Sequence, residues 1–300
     1  TIVAPACAEL PSVITAGTGN VGVRWPAHPR ARALLREAAV PVAAPSANRF
    51  GHVSPTRPEH VMADLGEHPL LILLASSGGC CDVGIESTVL KLDEQACELV
   101  LLRRGGVPER ELKGWIEQQG SAYTLRVKAP PRTGVGAASR EMQLNSCTAA
   151  LGAGADDQGA LEAPGMLLTH YAPDAPSYLL SLADPQGCIP PSQGAPLMLE
   201  AACVLDFGGR ASSLKGQAAA YRDLSPAANA AVAAQQLFEA LRWTEVQQAA
   251  GARYVLLPDV LASGVTDDCL PALADRLFRA ASGRSAFIAA DGHVLPCEPY

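Results

Sequence analysis

Residues 21–44 have the sequence VGVRWPAHPRARALLREAAVPVAA and decide the fold class, because they set a helical pattern between two short apolar runs. The runs at 21–24 and 40–44 predict strands, and residues 29–39 between them predict a helix. Strands that alternate with helices indicate an α/β sheet. This part of the chain is therefore expected to form a sheet with helices packed against it.

The alternation continues along the first third of the chain. Thr56 and Glu59 have the spacing of a capping box, and Gly66 follows an apolar pattern, so a helix is predicted to begin at Thr56 and to end at Gly66. Three further strands are predicted at 70–74, 88–92 and 98–102.

A second α/β unit is predicted after a linker. Between about 129 and 165 glycine, alanine, proline and serine prevail and little hydrophobic period is visible. Beyond this stretch, 202–208 is an apolar run that ends in glycine, as a buried strand does, and 254–257 predicts another strand. A helix is predicted to begin at Ser225-Pro226, and a last helix follows. The apolar faces of these two helices are Ala230, Ala234, Leu237 and Leu241, and then Leu273, Leu277, Ala280 and Ala281.

Composition excludes several classes of protein. The 300 residues are 48% hydrophobic and 18% charged, which supports a folded core and argues against disorder. Single cores seldom grow much past ~250 residues, so two domains are expected. The net charge of -7 argues against a protein that binds nucleic acid strongly through a broad basic face.

The same counts predict a compartment. No apolar run of roughly 18 residues and no signal-peptide pattern occurs, so we expect a soluble protein without membrane contact. The nine cysteines include no Cys-x-x-Cys spacing and suit free thiols in a reducing compartment. A cytoplasmic protein is therefore expected, with an organellar form as the alternative.

Two polar islands are candidates for ligand binding. The loop that holds Ser46, Asn48, Gly51 and Ser54 follows a predicted strand, and the carboxyl edge of an open sheet is where phosphate or ribose binds. A turn followed by a helix cap would explain the same residues. The second island, at 84–89, brings a glutamate and two hydroxyl residues into a strand, where such side chains usually face solvent.

Arginines at strand ends are further candidates. Arg24 and Arg103-Arg104 could bind a carboxylate or phosphate in a bidentate way, although solvated arginines are an equal alternative. His52, His60 and His68 do not share one helix face, so no metal site is expected. Cys80 and Cys81 have no evident base beside them and are interpreted as incidental thiols.

Taken in order, these islands resemble the Sua5/YrdC family. The resemblance covers nearly the whole chain and rests on these runs: Val21-Gly22-Val23-Arg24-Trp25-Pro26-Ala27-His28-Pro29, Ala43-Ala44-Pro45-Ser46-Ala47-Asn48, Ser54-Pro55-Thr56, Gly84-Ile85-Glu86-Ser87-Thr88-Val89, Leu101-Leu102-Arg103, Ala163-Pro164-Gly165-Met166, His170-Tyr171-Ala172-Pro173 and Asp275-Arg276-Leu277-Phe278-Arg279-Ala280-Ala281.

The resemblance implies an architecture and an activity. Residues 1–128 would form a YrdC-like twisted open sheet with helices, 129–175 a linker with the two signatures, and 176–300 a smaller Rossmann-like α/β domain of Sua5 type. The family makes L-threonylcarbamoyladenylate and pyrophosphate from L-threonine, bicarbonate or CO2, and ATP, the last with Mg²⁺. A downstream threonylcarbamoyl transferase machinery then modifies adenosine 37 of tRNA.

The resemblance also implies which residues bind the substrates, although it assigns no catalytic residue. L-threonine would be bound by Arg24, Ala44 and Ser87, with Arg24 paired to its α-carboxylate. ATP would be bound by Asn20, Ser46, Ser54, Arg103 and Tyr171.

Two departures from the family pattern limit these expectations. Asn20 stands where the family usually has threonine, which puts its ATP contact in doubt. The family also carries a Pro-Thr-Glu-Thr-like motif and a Lys/Arg-rich motif upstream of the point where this chain starts, so the YrdC-like domain is expected to be partial and this chain inactive alone. A noncatalytic nucleotide- or RNA-binding module is the main alternative, and a thiol-redox protein is a distant third.

Overall fold

The computed structural model describes residues 1–70, 72, 81–128, 167–182, 196–289 and 293–297, and contacts divide them into two compact units. The first unit holds Thr1–Ser46 and 87–128. The second holds Ala47–Glu86 and the described residues from Leu167 onward. Most of the predicted strand at 70–74 and of the predicted linker lie outside the described residues. The boundaries 1–128, 129–175 and 176–300 stay a prediction, since the contacts divide the chain in another way.

The first unit contains a five-stranded mixed sheet. In chain order its strands are Ile2–Pro5 (β1), Asn20–Val23 (β2), Val89–Asp93 (β3), Glu98–Arg103 (β4) and Thr124–Val127 (β5). The spatial order is β2-β1-β3-β4-β5, with β1 antiparallel to β2 and parallel to β3, and β4 antiparallel to β3 and parallel to β5. The strands predicted at 21–24, 88–92 and 98–102 are confirmed, each with its bounds shifted by about one residue.

The second unit contains a six-stranded sheet. Its strands are Ser177–Ser181 (β6), Ala202–Asp206 (β7), Ala220–Asp223 (β8), Tyr254–Pro258 (β9), Ser285–Ile288 (β10) and Val294–Cys297 (β11). The order is β11-β10-β6-β9-β7-β8, and all neighbours are parallel except β10 and β11. A largely parallel sheet with helical crossovers confirms the predicted Rossmann-like unit.

Six α-helices lie within the described residues: Ser12–Thr15 (α1), Pro29–Ala38 (α2), Pro58–Leu65 (α3), Glu109–Gln118 (α4), Ala230–Ala249 (α5) and Leu270–Ala280 (α6). The helix predicted at 29–39 is confirmed. The apolar faces predicted for the last two helices are also confirmed, because Leu237 and Leu241 of α5 and Leu273 and Leu277 of α6 are fully buried in one core cluster.

The sheet of the second unit alternates its side chains between two core clusters. Leu205 and Leu257 face the cluster that contains α5 and α6, while Val204 and Leu256 face the other. Successive side chains of a strand point to opposite faces, so strands buried on both faces are apolar throughout. This explains why residues 202–205 are apolar without alternation, while Asp206 at the end of β7 is buried and accepts hydrogen bonds from the Phe207 and Ala211 amides and the Tyr221 hydroxyl.

The predicted strand at 40–44 is wrong. These residues form an irregular, exposed segment in which Val40 is 61% and Val42 48% exposed. Pro41 lacks the backbone donor that a strand needs. None of the five strands of the described sheet pairs with this segment.

The predicted starts of two helices are also wrong. α3 begins at Pro58 instead of Thr56, because proline suits the first helical position and the Thr56 hydroxyl donates to Glu239 at 3.2 Å instead of capping the helix. Gly66 does follow the last residue of α3, as predicted.

α5 begins five residues after Ser225. Ala228, at φ 53°, has a left-handed backbone that interrupts any helix from Ser225 onward. The cap is Asn229, whose side-chain oxygen accepts a hydrogen bond from the Val232 amide at 3.0 Å.

Cysteine chemistry differs from the expectation at one position. Cys297 is disulfide-bonded, whereas the described residues include free thiols at Cys7, Cys97, Cys203 and Cys269. Spacing in the sequence could not show this, because the pairing of cysteines depends on their proximity in space. A search of the described residues finds no helix that combines the length and the apolar character needed to cross a bilayer.

Candidate functional site

Arg103 and Ser87 meet at the ends of two neighbouring strands in the first unit. Arg103 is the last residue of β4, and Ser87 lies two residues before β3. The Arg103 guanidinium donates to the Ser87 carbonyl oxygen, at 3.2 Å from Nε and 2.9 Å from Nη2, and to the Ser87 hydroxyl at 3.4 Å. The structure therefore brings together one residue predicted to bind ATP and one predicted to bind L-threonine.

Thr1 lies beside this pair. Its hydroxyl is 2.7 Å from the Ser87 hydroxyl, and its amine donates to the Thr88 carbonyl oxygen at 2.9 Å. Strand β1 pairs with β2 so that Ile2 lies opposite Val23, and Arg24 therefore lies at the same end of this strand pair as Thr1. Ile2 also pairs with Leu90 and Val89 with Arg103, so Arg24 and Arg103 both lie at this edge of the sheet. Two cations beside two hydroxyls suit an anionic ligand such as a carboxylate or phosphate.

Three other predicted residues of the first unit belong to different segments of the chain. Ala44 and Ser46 belong to the exposed irregular segment after α2. Asn20 begins β2 and Arg24 follows its last residue, so roughly 13 Å of strand separates them. The Asn20 side chain donates to the Thr18 carbonyl oxygen at 3.1 Å. The roles of these residues stay predictions.

Ser54, Glu86 and Arg276 form a hydrogen-bonded chain in the second unit. The Ser54 hydroxyl donates to Oε1 of Glu86 at 3.1 Å, and Nε of Arg276 donates to Oε2 of the same carboxylate at 3.1 Å. Arg276 lies in α6 among apolar residues that face the core. Sequence reasoning expected Glu86 to face solvent, whereas the structure pairs it with a buried arginine.

The Arg276 side chain is wholly buried. Burial disfavours its charged form, but the effects of Glu86, Tyr171 and Asp275 together outweigh burial and raise the pKa of Arg276. Nη1 donates to Asp275 at 3.1 Å, while Nη2 is buried and has no acceptor among the residues that the structure describes. A buried donor without an acceptor typically costs about 1–3 kcal/mol. Part of this guanidinium is therefore available to a further acceptor.

Tyr171 is held tightly in the second unit. It is fully buried and has a left-handed backbone with φ 61°, a conformation that costs a residue other than glycine roughly 1–2 kcal/mol. Its ring centroid lies 5.2 Å from that of Phe238 and 4.0 Å from that of His170, and Cζ of Arg276 lies 5.6 Å from it. The contact predicted between Tyr171 and ATP stays a prediction.

A second buried cluster of charges joins the loop after Ser46 to α5. Arg242 donates to both carboxylate oxygens of Asp64, at 2.9 Å and 2.7 Å, and to the Val53 carbonyl oxygen. Nδ1 of His52 lies 2.9 Å from Asp64, and its Nε2 lies 2.6 Å from Glu245. His52, one of the histidines without a predicted role, is thus part of a charge network. Among the described residues no group of three His, Cys, Asp or Glu side chains could hold a metal ion.

Sequence reasoning missed Arg276 and its partner, although one pattern could have found them. Arg276 lies three residues after Leu273 and four before Ala280, which places it on the apolar face of α6. An arginine on such a face is buried, and buried charges are paired. The pattern could therefore have predicted a buried ion pair, but not which carboxylate completes it.

Family models and curated relatives match most of the chain. A model described as "Telomere recombination", of Sua5, YciO and YrdC proteins, matches residues 1–105, and one described as "Threonylcarbamoyl-AMP synthase, C-terminal domain" matches residues 139–282. Relatives named threonylcarbamoyl-AMP synthase in Bacillus subtilis, Pyrococcus abyssi and Schizosaccharomyces pombe are each 36% identical to this chain, over 54%, 58% and 54% of it. The matches span only 37%, 42% and 33% of the relatives' own lengths.

Solved structures agree with this assignment. The crystal structure of P. abyssi Sua5 complexed with L-threonine has a TM-score of 0.64 at 27% identity, over 94% of this chain and 70% of that chain. A doubly substituted P. abyssi Sua5 has a TM-score of 0.61 at 26% identity, over 94% and 69%. The predicted fold class, a mixed α/β chain with two sheets, is confirmed. With both family models matching along its length, the chain belongs to the Sua5/YrdC family.

Proposed function

We propose that this chain supplies substrate-binding residues to an L-threonylcarbamoyladenylate synthase. The observation that carries the proposal is the arrangement of Arg103, Ser87 and Arg24 at one edge of the first sheet, where two guanidiniums and a hydroxyl can meet anionic substrates. The names of the relatives and the L-threonine in the P. abyssi structure support the same reaction.

The reaction depends on positioning and charge neutralisation more than on a protein nucleophile. L-threonine and bicarbonate or CO2 form a carbamate. Its carboxylate oxygen attacks the α-phosphorus of ATP, the bond to the β-phosphate oxygen breaks, and pyrophosphate leaves. In the proposed assignment L-threonine is bound by Arg24, Ala44 and Ser87, and ATP by Asn20, Ser46, Ser54, Arg103 and Tyr171.

Mg²⁺ would accompany ATP in this scheme. The described residues offer no cluster of their own that could hold a metal ion, which fits an ion bound mainly through the phosphates of the nucleotide. Threonylcarbamoyl-AMP would pass to a transferase that modifies adenosine 37 of tRNA. We propose that the reaction takes place in the cytoplasm.

Calorimetric titration with L-threonine and with ATP tests the proposal. Arg24→Ala should weaken L-threonine binding by about 10- to 150-fold, because a charge-assisted hydrogen bond contributes about 1.5–3 kcal/mol, and should affect ATP much less. Arg126→Ala is the matched control, since Arg126 also extends from a strand of this sheet but is paired with Glu98. It should bind both ligands as the unsubstituted protein does.

Two results would contradict the proposal. If Arg24→Ala bound L-threonine unchanged, Arg24 would not lie in the threonine site. If the protein bound neither L-threonine nor ATP but bound RNA, the noncatalytic alternative would replace the synthase.

A further inference from the structure

We propose that Arg276 is a positioning residue of the nucleotide site, which acts through Glu86 to fix the direction of the Ser54 hydroxyl. The inference rests on the proposed function, because it takes Ser54 as an ATP contact. Its basis is the unbroken chain of hydrogen bonds from Arg276 Nε through both carboxylate oxygens of Glu86 to Ser54 Oγ.

The direction of these hydrogen bonds determines which part of ATP Ser54 can meet. A serine hydroxyl has one proton and two lone pairs. The Ser54 hydroxyl donates its hydrogen bond to Glu86, so it can only accept a hydrogen bond from a ligand. Phosphate oxygens that carry no proton also only accept, whereas the ribose hydroxyls and the amino group of adenine donate. Ser54 therefore contacts the nucleoside part of ATP, and the triphosphate is bound elsewhere.

Arg276 keeps Glu86 in the state that this role needs. Both oxygens of Glu86 accept hydrogen bonds, one from Ser54 and one from Arg276, which requires the ionised carboxylate. The buried guanidinium beside it stabilises that form. The ion pair also holds the two carboxylate oxygens in fixed directions.

The surroundings of Arg276 indicate more than a structural ion pair. Replacing a buried ion pair by apolar residues of similar volume is often neutral or stabilising, so such a pair is weak evidence for stability. Arg276 also leaves Nη2 without an acceptor among the described residues. Its guanidinium carbon lies 5.6 Å from the ring centroid of Tyr171, the other predicted ATP contact in the second unit. Arg276 is thus linked to Ser54 through Glu86 and also lies beside Tyr171.

Titration calorimetry of the full chain with ATP and with inorganic triphosphate tests the inference. Arg276→Met should weaken ATP binding by about fivefold to tenfold, since it removes the support of one hydrogen bond, and should leave triphosphate binding within twofold. Arg276→Lys should recover part of the loss. Ser54→Ala should give the same selective loss, and the double variant should lose no more than either single variant.

Arg279→Met is the matched control. Arg279 lies one turn further along α6, is comparably buried and bonds to Asp275, but makes its other hydrogen bond to the Leu167 carbonyl oxygen. It should bind both ligands like the unsubstituted protein. If Arg276→Met does not fold, Glu86→Gln serves in its place. An amide that donates to Ser54 would leave the serine hydroxyl free to donate to a phosphate, so the selective effect on ATP would again be lost.

Each outcome bears on the inference. Equal losses of ATP and triphosphate, in a variant with unchanged far-ultraviolet circular dichroism, would place Ser54 at the phosphates and overturn it. Unchanged ATP binding in Arg276→Met would also overturn it and leave the proposed function intact. An unsubstituted protein that binds no ATP would overturn the proposed function, and the inference with it.

Discussion

Replacing Arg242 by methionine should destabilise the second unit by about 3 kcal/mol or more. Both members of the Arg242–Asp64 pair are almost inaccessible, with side-chain exposures of 5% and 2%. Methionine fills similar space but leaves the Asp64 carboxylate buried with the weaker support of His52 and Arg49. Removing one partner of a buried pair costs about 3–5 kcal/mol, and the remaining partners hold the expected loss near the lower value.

Arg57→Met is the matched control. Nε of Arg57 lies 2.9 Å from Glu239, a distance close to that of the buried pair, but the Arg57 side chain is 48% exposed. Exposed pairs contribute about 0–1 kcal/mol, because water screens them. The two variants thus differ in burial and not in the chemistry of the substitution.

Tryptophan fluorescence during urea unfolding can follow the second unit alone. The chain has three tryptophans, of which Trp243 lies in α5 beside Arg242, while Trp25 and Trp115 belong to the first unit. A background with Trp25 and Trp115 replaced by phenylalanine leaves Trp243 as the reporter. If Arg242→Met lost less than about 1 kcal/mol, as Arg57→Met should, burial would not strengthen this pair and the reasoning would be refuted.

Two more predictions concern the second unit. Burial disfavours the charged form of His52, but hydrogen bonds with Glu245 and Asp64 outweigh it and raise the pKa of His52, so the stability that His52 contributes should be full below about pH 6.5 and lost as pH rises through its folded-state pKa. Urea unfolding from pH 5 to 9 should show this loss, and a His52→Gln variant with the same slope would contradict it. Gly84→Ala should cost more than about 3 kcal/mol, because Gly84 has φ 76° and a Cβ there would overlap the Cα of Gln235. Gly209→Ala, at φ 69° in open space, should cost only about 1 kcal/mol when the thermal unfolding of both variants is compared. Equal losses would show that the close approach of Gly84 to α5 is not rigid.

Local patterns predicted the regular elements well where burial and backbone preference agree. The run at 202–208 and the faces of α5 and α6 are apolar because the core requires it, so the pattern and the structure have one cause. The segment at 40–44 is apolar too, but a strand also needs a neighbouring strand to form hydrogen bonds with its backbone. Residue composition does not indicate whether such a neighbouring strand exists.

Contacts between distant residues limited prediction of the candidate site. Arg103 and Ser87 were each identified from the sequence, yet their hydrogen bonds depend on the pairing of β3 with β4, which sets Val89 opposite Arg103. Glu86 is separated by 190 positions from Arg276, and nothing local to either residue names the other. Ion pairs of this kind follow from the tertiary fold, so they become visible only once the fold is known.

Because the chain passes between the two units more than once, a single cut in the gene cannot separate them. The chain leaves the first unit after Ser46, supplies residues 47–86 to the second, and returns to the first at Ser87. A gene fragment that encoded only residues 176–300 would omit Val53 from the core and would deprive Arg242 of the Asp64 carboxylate. Recombination at a single junction would therefore yield an incomplete module on either side. Selection would therefore favour keeping the coding segments of both units in one reading frame.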